Sequence, residues 1–261
     1  MIDDLMLNLS QRQQHILDVV RKEGFMSIES LAQLFDVTAQ TIRSDVNQLN
    51  GMSLLRRYHG GVGLSSSVEN ESYGSRQVKS LNEKRRIAAT LVKHIPAKAS
   101  LFINIGTTTE EVATALLNHR DLRIITNNLN VARILSANPS FEVIIAGGVV
   151  RSRDQGVTGE ATIDFISQFK VDFGIIGISG IDSDGTLLDF DYREVRVAKA
   201  IIQNSRAVFM AADWTKFGRN AMVRLGHISQ IDALFTDRRP DEEMCAILKE
   251  ADVTLHIPDS V

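Results

Sequence analysis

Two sets of residues in this 261-residue chain have the types and spacing to do chemistry. The first centres on Gly106-Thr107-Thr108-Thr109, which follows an apolar run and opens a helical period. A glycine and hydroxyls at a helix N-terminus offer backbone N–H groups and the positive dipole end to an anion such as a phosphate. Lys216 would add a full charge, and Asp182, Asn127, Asn128 and Glu194 would hydrogen-bond the hydroxyls of a polyol. The second set is Gln40, Thr41, Arg43, Ser44 and Asn47, polar groups on one side of a helical period beginning at Thr38. Groups of this kind read base edges in the major groove, and Ala39 is small enough to approach a thymine methyl.

Singly, each feature has a plainer reading. Gly106 to Thr109 also describes an ordinary strand-to-helix turn, and Asn127-Asn128 a helix cap. Asp182 to Gly185 fits a hairpin turn, and Asp213 with Lys216 a surface ion pair. The outward face after Thr38 also fits a solvated helix. What favours the sharper readings is their company.

The elements around the second set are clear. Ser10 and Gln13 have the spacing of a capping box, Ile16, Leu17 and Val20 line one face, and Gly24 ends the helix. Ser27 caps a second helix whose inner face is Ile28, Leu31, Ala32, Leu34 and Phe35. A break at Asp36-Val37 leads to Thr38, capping a third helix with Ile42, Val46 and Leu49 inward. Two short helices joined so tightly form a helix-turn-helix pattern. Residues 54–62, with Arg56, Arg57 and His59 before a Gly60-Gly61 turn, then read as a wing that lies along phosphates. His59 has no second ligand at useful spacing, so no metal is expected.

From residue 100 apolar strands alternate with helical periods, which predicts an α/β domain with a mostly parallel sheet covered on both faces. Strands at 101–105, 122–126, 141–146, 173–178 and 207–212 each run into a polar loop. Carboxyl ends of parallel strands share one edge, where ligands bind. Thr126, Gly147, Gly148 and Asp213 therefore join the candidate set. Gly174, Gly177 and Gly180 lack the G-x-G-x-x-G spacing, so no dinucleotide cofactor is expected. The expected organisation is a winged helix-turn-helix over 1–64 and a flexible or extended serine-rich connector over 65–81. An effector-binding and oligomerisation domain then covers 82–261, its first helix capped by Asn82.

Composition sets limits. A hydrophobic share of 44% and a charged share of 23% are ordinary for a globular chain. No apolar run approaches the ~20 residues of a membrane helix, and the N-terminus lacks a signal peptide's basic-then-apolar order. The lone Cys245 excludes an internal disulfide and a cysteine zinc site. A soluble cytoplasmic protein with no cofactor, metal or membrane partner is expected. The net charge of -3 argues mildly against nucleic acid, so any DNA contact must be a focused patch. Between Thr38 and Val62 the bases Arg43, Arg56 and Arg57 face only Asp45.

Ile28-Glu29-Ser30-Leu31-Ala32, Val37-Thr38-Ala39-Gln40-Thr41-Ile42-Arg43 and His59-Gly60-Gly61 resemble the signature of the DeoR family of bacterial repressors. Phe102-Ile103-Asn104-Ile105-Gly106-Thr107-Thr108, Arg151-Ser152-Arg153-Asp154 and the stretches at 159–166, 182–185 and 216–223 resemble the family's effector domain, itself similar to ribose-5-phosphate isomerase. The resemblance implies a repressor that binds double-stranded operator DNA as a homo-oligomer, dimer or tetramer. It also implies control by a small phosphorylated metabolite, a sugar or polyol with glycerol-3-phosphate foremost, and no catalysis. The chain departs from the pattern at Ser44, where arginine is common, and at Val46, where leucine is. Ala198-Lys199 stands where a lysine and a second basic residue are usual, which brings Lys199 into the effector set.

Two other classes compete. A sugar-phosphate isomerase needs a base, for which Glu194 is available, and groups that stabilise an enediolate. Yet Ser179 stands where the isomerases have an aspartate. A constitutive DNA-binding protein, whose second domain only oligomerises, would have no use for anion-binding loops.

Overall fold

The computed structural model describes residues 9–259 apart from 53, 59 and 65–69, so the expectations for His59 and for Ser65-Ser66-Ser67 fall outside the described residues. Local rules set the first elements. Ser10 and Gln13 cap each other reciprocally to open α1 (Gln11–Glu23), and Gly24 closes it at φ 78. β1 (Phe25–Ser27) leads to α2 (Ile28–Leu34), capped by Ser27, and α3 (Ala39–Gly51) is capped by Thr38. β2 (Leu55–Tyr58) and β3 (Gly61–Leu64) join β1 in an antiparallel sheet of order β1-β3-β2. Ile16, Val20, Leu31, Ile42, Val46, Leu49 and Val62 close one core.

Two features of this unit differ from the sequence reading. β1 is a short strand with no periodic signal, yet it pairs with β3 and so roots the wing. Asp45 does not oppose the basic patch. It is 5% exposed and accepts hydrogen bonds from Arg12 Nε at 2.6 Å and Gln13 Nε2 at 3.0 Å.

The connector also differs. Instead of a loose linker, the chain forms α4 (Tyr73–Val78), with Ser72 capping Ser75. α5 (Leu81–Leu91) starts after Ser80, which sits at φ 53, so Asn82 lies inside the helix rather than capping it.

The larger unit then runs β4 (Ser100–Ile103), α6 (Thr107–Leu116), β5 (Arg123–Thr126), α7 (Leu129–Leu135) and β6 (Glu142–Ile145). A hairpin of β7 (Val149–Val150) and β8 (Val157–Thr158), then α8 (Glu160–Ile166), leads to β9 (Val171–Ile176). Next come β10 (Gly180–Ile181), β11 (Thr186–Asp189), α9 (Tyr192–Gln203), β12 (Ser205–Ala211) and β13 (Val223–His227). β14 (Ala233–Phe235), α10 (Glu242–Glu250) and β15 (Thr254–His256) finish it.

Seven strands pair in parallel in the order β15-β14-β12-β9-β4-β5-β6. Both faces are apolar, as the unbroken strand runs require. Ile87, Leu91, Val112, Leu116, Val131 and Leu135 from α5, α6 and α7 cover one face. Ile166, Val195, Ile201, Met244 and Leu248 from α8, α9 and α10 cover the other. Starting at β4, the chain winds outward through β5 and β6, then returns to the far side of β4 with β9. The winding therefore reverses between β4 and β9, and connections leave there toward opposite faces. A crevice opens at the carboxyl ends of that pair of strands. No helix among the described residues is long and apolar enough to cross a membrane.

Candidate DNA-binding face and effector cleft

On α3, Gln40, Arg43, Ser44 and Asn47 are exposed, while Ala39 and Thr41 are half-buried beside them. Thr38 serves as the cap, its Oγ1 accepting from Thr41 N at 3.2 Å. The guanidinium of Arg43 lies 3.9 Å from the Glu29 carboxylate, both well exposed. An exposed pair of this kind contributes about 0–1 kcal/mol, so it yields readily to a stronger partner. From the wing, Arg57 donates to Asn47 Oδ1 at 2.7 Å, and its backbone N–H to Asn50 Oδ1 at 3.3 Å. Arg56 sits 5.9 Å over the Tyr58 ring. Helix and wing thus carry their donors on a shared surface.

In the larger unit a cleft lies where the winding reverses. Asn104 to Thr108 enter it from the end of β4, and Gly177, Ile178 and Ser179 from the end of β9. Gly106 precedes α6 at φ 152, a conformation that favours glycine, and offers no side chain to cap the first turn. The N-terminus of α6 is therefore uncapped by any side chain where Thr107 and Thr108 meet the cleft. Lys216 enters from the turn after β12. Burial pushes its ammonium down to about 8, with Arg219 and Lys84 adding to the effect and Asp213, 3.9 Å away, opposing it. Asn104 Oδ1 and Arg76 Nε are buried with no hydrogen-bond partner, and both residues line the cleft. A buried polar atom left unpaired costs ~1–3 kcal/mol, which a polar ligand would recover.

The opposite wall is acidic but largely committed. Arg151, 8% exposed, donates to Asp154 Oδ2 at 2.7 Å, Asp191 Oδ2 at 3.2 Å and Glu194 Oε1. Arg153 also reaches Glu194 at 2.9 Å. Asp191, despite its partial burial, is held down to about 2 by Arg193 and Arg151. Asp189 at the end of β11 accepts from Ser179 Oγ at 3.0 Å and Phe190 N at 2.7 Å. Burial and the nearby Glu194 nevertheless push its carboxyl up to about 7.

Of the expected effector set, Gly106, Thr107, Thr108, Glu194 and Lys216 line the cleft. The others do not, each for a local reason. Thr109 turns its hydroxyl to Asn104 O and Gly106 O, and Thr126 to Ile103 O. Asn127 donates to Val157 O, and Asn128 caps α7 and bonds Glu110. At Gly148, φ is +150 and a Cβ would lie 2.2 Å from Thr162 Oγ1, so close packing requires glycine there, and the Gly147 carbonyl accepts from Thr162 Oγ1 at 2.8 Å. Asp182 makes the hairpin turn, Asp213 caps the Trp214–Lys216 turn, and Lys199 faces solvent. Sequence reasoning missed Arg76, Asn104, Asp154 and Asp189 as lining residues. Only Asn104 and Asp154 stand in motifs that drew notice.

Both units match family models, and the chain has close relatives. Residues 12–68 match the DeoR-like helix-turn-helix domain, and residues 79–238 the DeoR C terminal sensor domain. The chain is 51% identical to the glycerol-3-phosphate regulon repressor of Escherichia coli (strain K12), covering 95% of this chain and 98% of that one. The Haemophilus influenzae protein of the same name is 51% identical over 89% of this chain and 91% of its own. The HTH-type transcriptional repressor CsqR of Escherichia coli (strain K12) is 40% identical, covering 95% of each chain. Among solved structures, ribose 5-phosphate isomerase from Plasmodium falciparum is similar at 13% identity over 51% of this chain and 52% of that one, with a TM-score of 0.38.

Proposed function

The chain belongs to the DeoR family of transcriptional regulators, and from that premise we propose that it represses a glycerol-3-phosphate regulon and is released from DNA by that metabolite. In this reading α3 enters the major groove of double-stranded operator DNA, with Gln40, Thr41, Arg43, Ser44 and Asn47 toward the bases. Arg56, Arg57 and His59 lie along phosphates. Few bases are available, so a single copy binds weakly; linking two recognition units raises avidity by about 10²–10⁴. A homo-oligomer built on the larger domain supplies that link.

The observation that carries the effector assignment is the meeting of the uncapped α6 N-terminus with Lys216 in one cleft. That pairing suits a phosphate, and Asn104 with the acidic wall suits the hydroxyls of a short polyol. The repressors at 51% identity are named for glycerol-3-phosphate, which selects that metabolite first. Occupancy alters operator affinity only through a difference in affinity for the two arrangements of the protein.

Isomerase chemistry fits the same cleft poorly. Glu194 is engaged by Arg151 and Arg153, and Ser179 donates to Asp189. Glu194 is thus held by two guanidiniums, and Ser179 offers no carboxylate to take the proton.

A thermal-shift screen against phosphorylated three- to six-carbon metabolites tests the reading. Ligand at 100 times its Kd adds ~2.7 kcal/mol to the native state. Glycerol-3-phosphate should raise the melting temperature, and unphosphorylated glycerol should not. A flat response to every phosphorylated compound would overturn it.

A further inference from the structure

The stretch that opens the larger domain, from α4 into α5, is bolted to the effector cleft. Tyr73 of α4 donates its hydroxyl to Glu110 Oε2 at 2.7 Å and accepts from Asn130 Nδ2 at 2.9 Å. Burial and Glu110 raise the phenol well above its ordinary range, so it stays a donor at neutral pH. The buried ammonium of Lys84 donates to the carbonyl of Arg76. The Arg76 guanidinium lines the cleft 3.7 Å from the Asp154 carboxylate, and its buried Nε has no partner.

Glu110 stands in the first turn of α6, on the helix whose uncapped end meets the cleft at Thr107 and Thr108. The short α4 therefore touches the cleft twice, directly through Arg76 and indirectly through Tyr73 and α6. A helix of six residues with none buried has little stability of its own. Its position therefore depends on these few tertiary bonds.

Building on the effector reading above, we propose that α4 transmits occupancy of the cleft to the DNA-binding domain. Arg76 turns its unpaired donor to the bound phosphate, and the Tyr73–Glu110 bond moves α4 together with the first turn of α6. Phosphate arrival draws Arg76 away from Asp154, and the chain just before α4 follows. Arg76 is thus both a ligand contact and the near end of the coupling; Tyr73 is a positioning residue.

The test uses the full-length protein, glycerol-3-phosphate as probe, and a duplex that the wild-type protein selects from random DNA. The Kd for glycerol-3-phosphate is measured with and without DNA; the ratio is the coupling, roughly 5–150-fold in regulated proteins. Tyr73→Phe should bind DNA as wild type does, but its coupling ratio should fall toward one. Arg76→Ala should weaken glycerol-3-phosphate binding roughly tenfold to hundredfold, and Arg76→Lys should restore part of it. Wild-type ratios and affinities in all three variants, with a responsive parent, would remove α4 from the account and leave the effector reading standing. A wild-type protein that binds no glycerol-3-phosphate would sink the effector reading, and this inference with it.

Discussion

The wing residue Arg57 donates a 2.7 Å hydrogen bond to the amide oxygen of Asn47 on α3. Reading helix and wing are thereby held in register by a side-chain bond as well as by their common core. A neutral amide acceptor does not cancel the Arg57 charge, which in the proposed complex would pair with a phosphate. The bond uses the Asn47 amide oxygen, so in the proposed complex its amide N–H₂ is the group that would address the groove.

Arg43→Ala should reduce discrimination between operator and random DNA by about 1–3 kcal/mol, the contribution of a base-directed arginine. Arg57→Ala should weaken both DNAs and flatten the salt dependence by about one unit for a lost phosphate contact. Salt-titrated binding of both variants checks this. The reverse pattern would exchange the roles assigned to helix and wing.

Much of this is legible in the sequence, and the reason is locality. Ser10, Ser27 and Thr38 each cap within three residues, so their helices are written in neighbouring letters. Thr107, Thr108 and Lys216 stand directly after strands, and topology alone brings strand ends together. Arg76 could not be read this way. It comes from a stretch without apolar period, and only long-range bonds such as Tyr73 to Glu110 put it at the cleft. Asp189 likewise looks like any strand-end carboxylate until burial and Glu194 are seen to act on it. β14 and β15, three residues each, are too short to show a period.

Effector affinity should fall as pH rises from 7 to 9. Burial lowers Lys216 to about 8, so above that pH the free protein loses the charge that a phosphate would pair with. Bound phosphate raises the same group, so binding takes up a proton and weakens toward tenfold per pH unit until the bound-state pKa is reached. Asp189, at about 7, ionises over the same range and adds repulsion of the same sign. The phosphate ester itself is already doubly charged there, its second pKa being about 6. Calorimetric titrations at three pH values would show the trend; affinity that rises with pH would rule out Lys216 as the phosphate's partner.

Lys216→Ala should cost ~1.5–3 kcal/mol of effector binding, the worth of a hydrogen bond to a charged group, and Thr108→Val ~0.5–1.5 kcal/mol. Calorimetry measures both. If Lys216→Ala instead abolished DNA binding and left effector binding intact, Lys216 would be structural.

Arg151→Met should destabilise the fold. It strands Asp154 and part of Asp191 and Glu194 in a nearly closed site, and breaking a buried pair costs about 3–5 kcal/mol. The urea midpoint should drop accordingly. A loss below about 1 kcal/mol would mean that Arg153 satisfies the same carboxylates unaided.

In the proposed function a phosphorylated polyol in the cleft governs DNA binding. The most direct test is fluorescence anisotropy of full-length protein on a labelled duplex that it selects, titrated with glycerol-3-phosphate. Saturating glycerol-3-phosphate should release the duplex, glycerol should not, and Lys216→Ala should shift release to higher concentration. Equal DNA affinity with and without glycerol-3-phosphate, in a protein shown to bind it, would contradict the account.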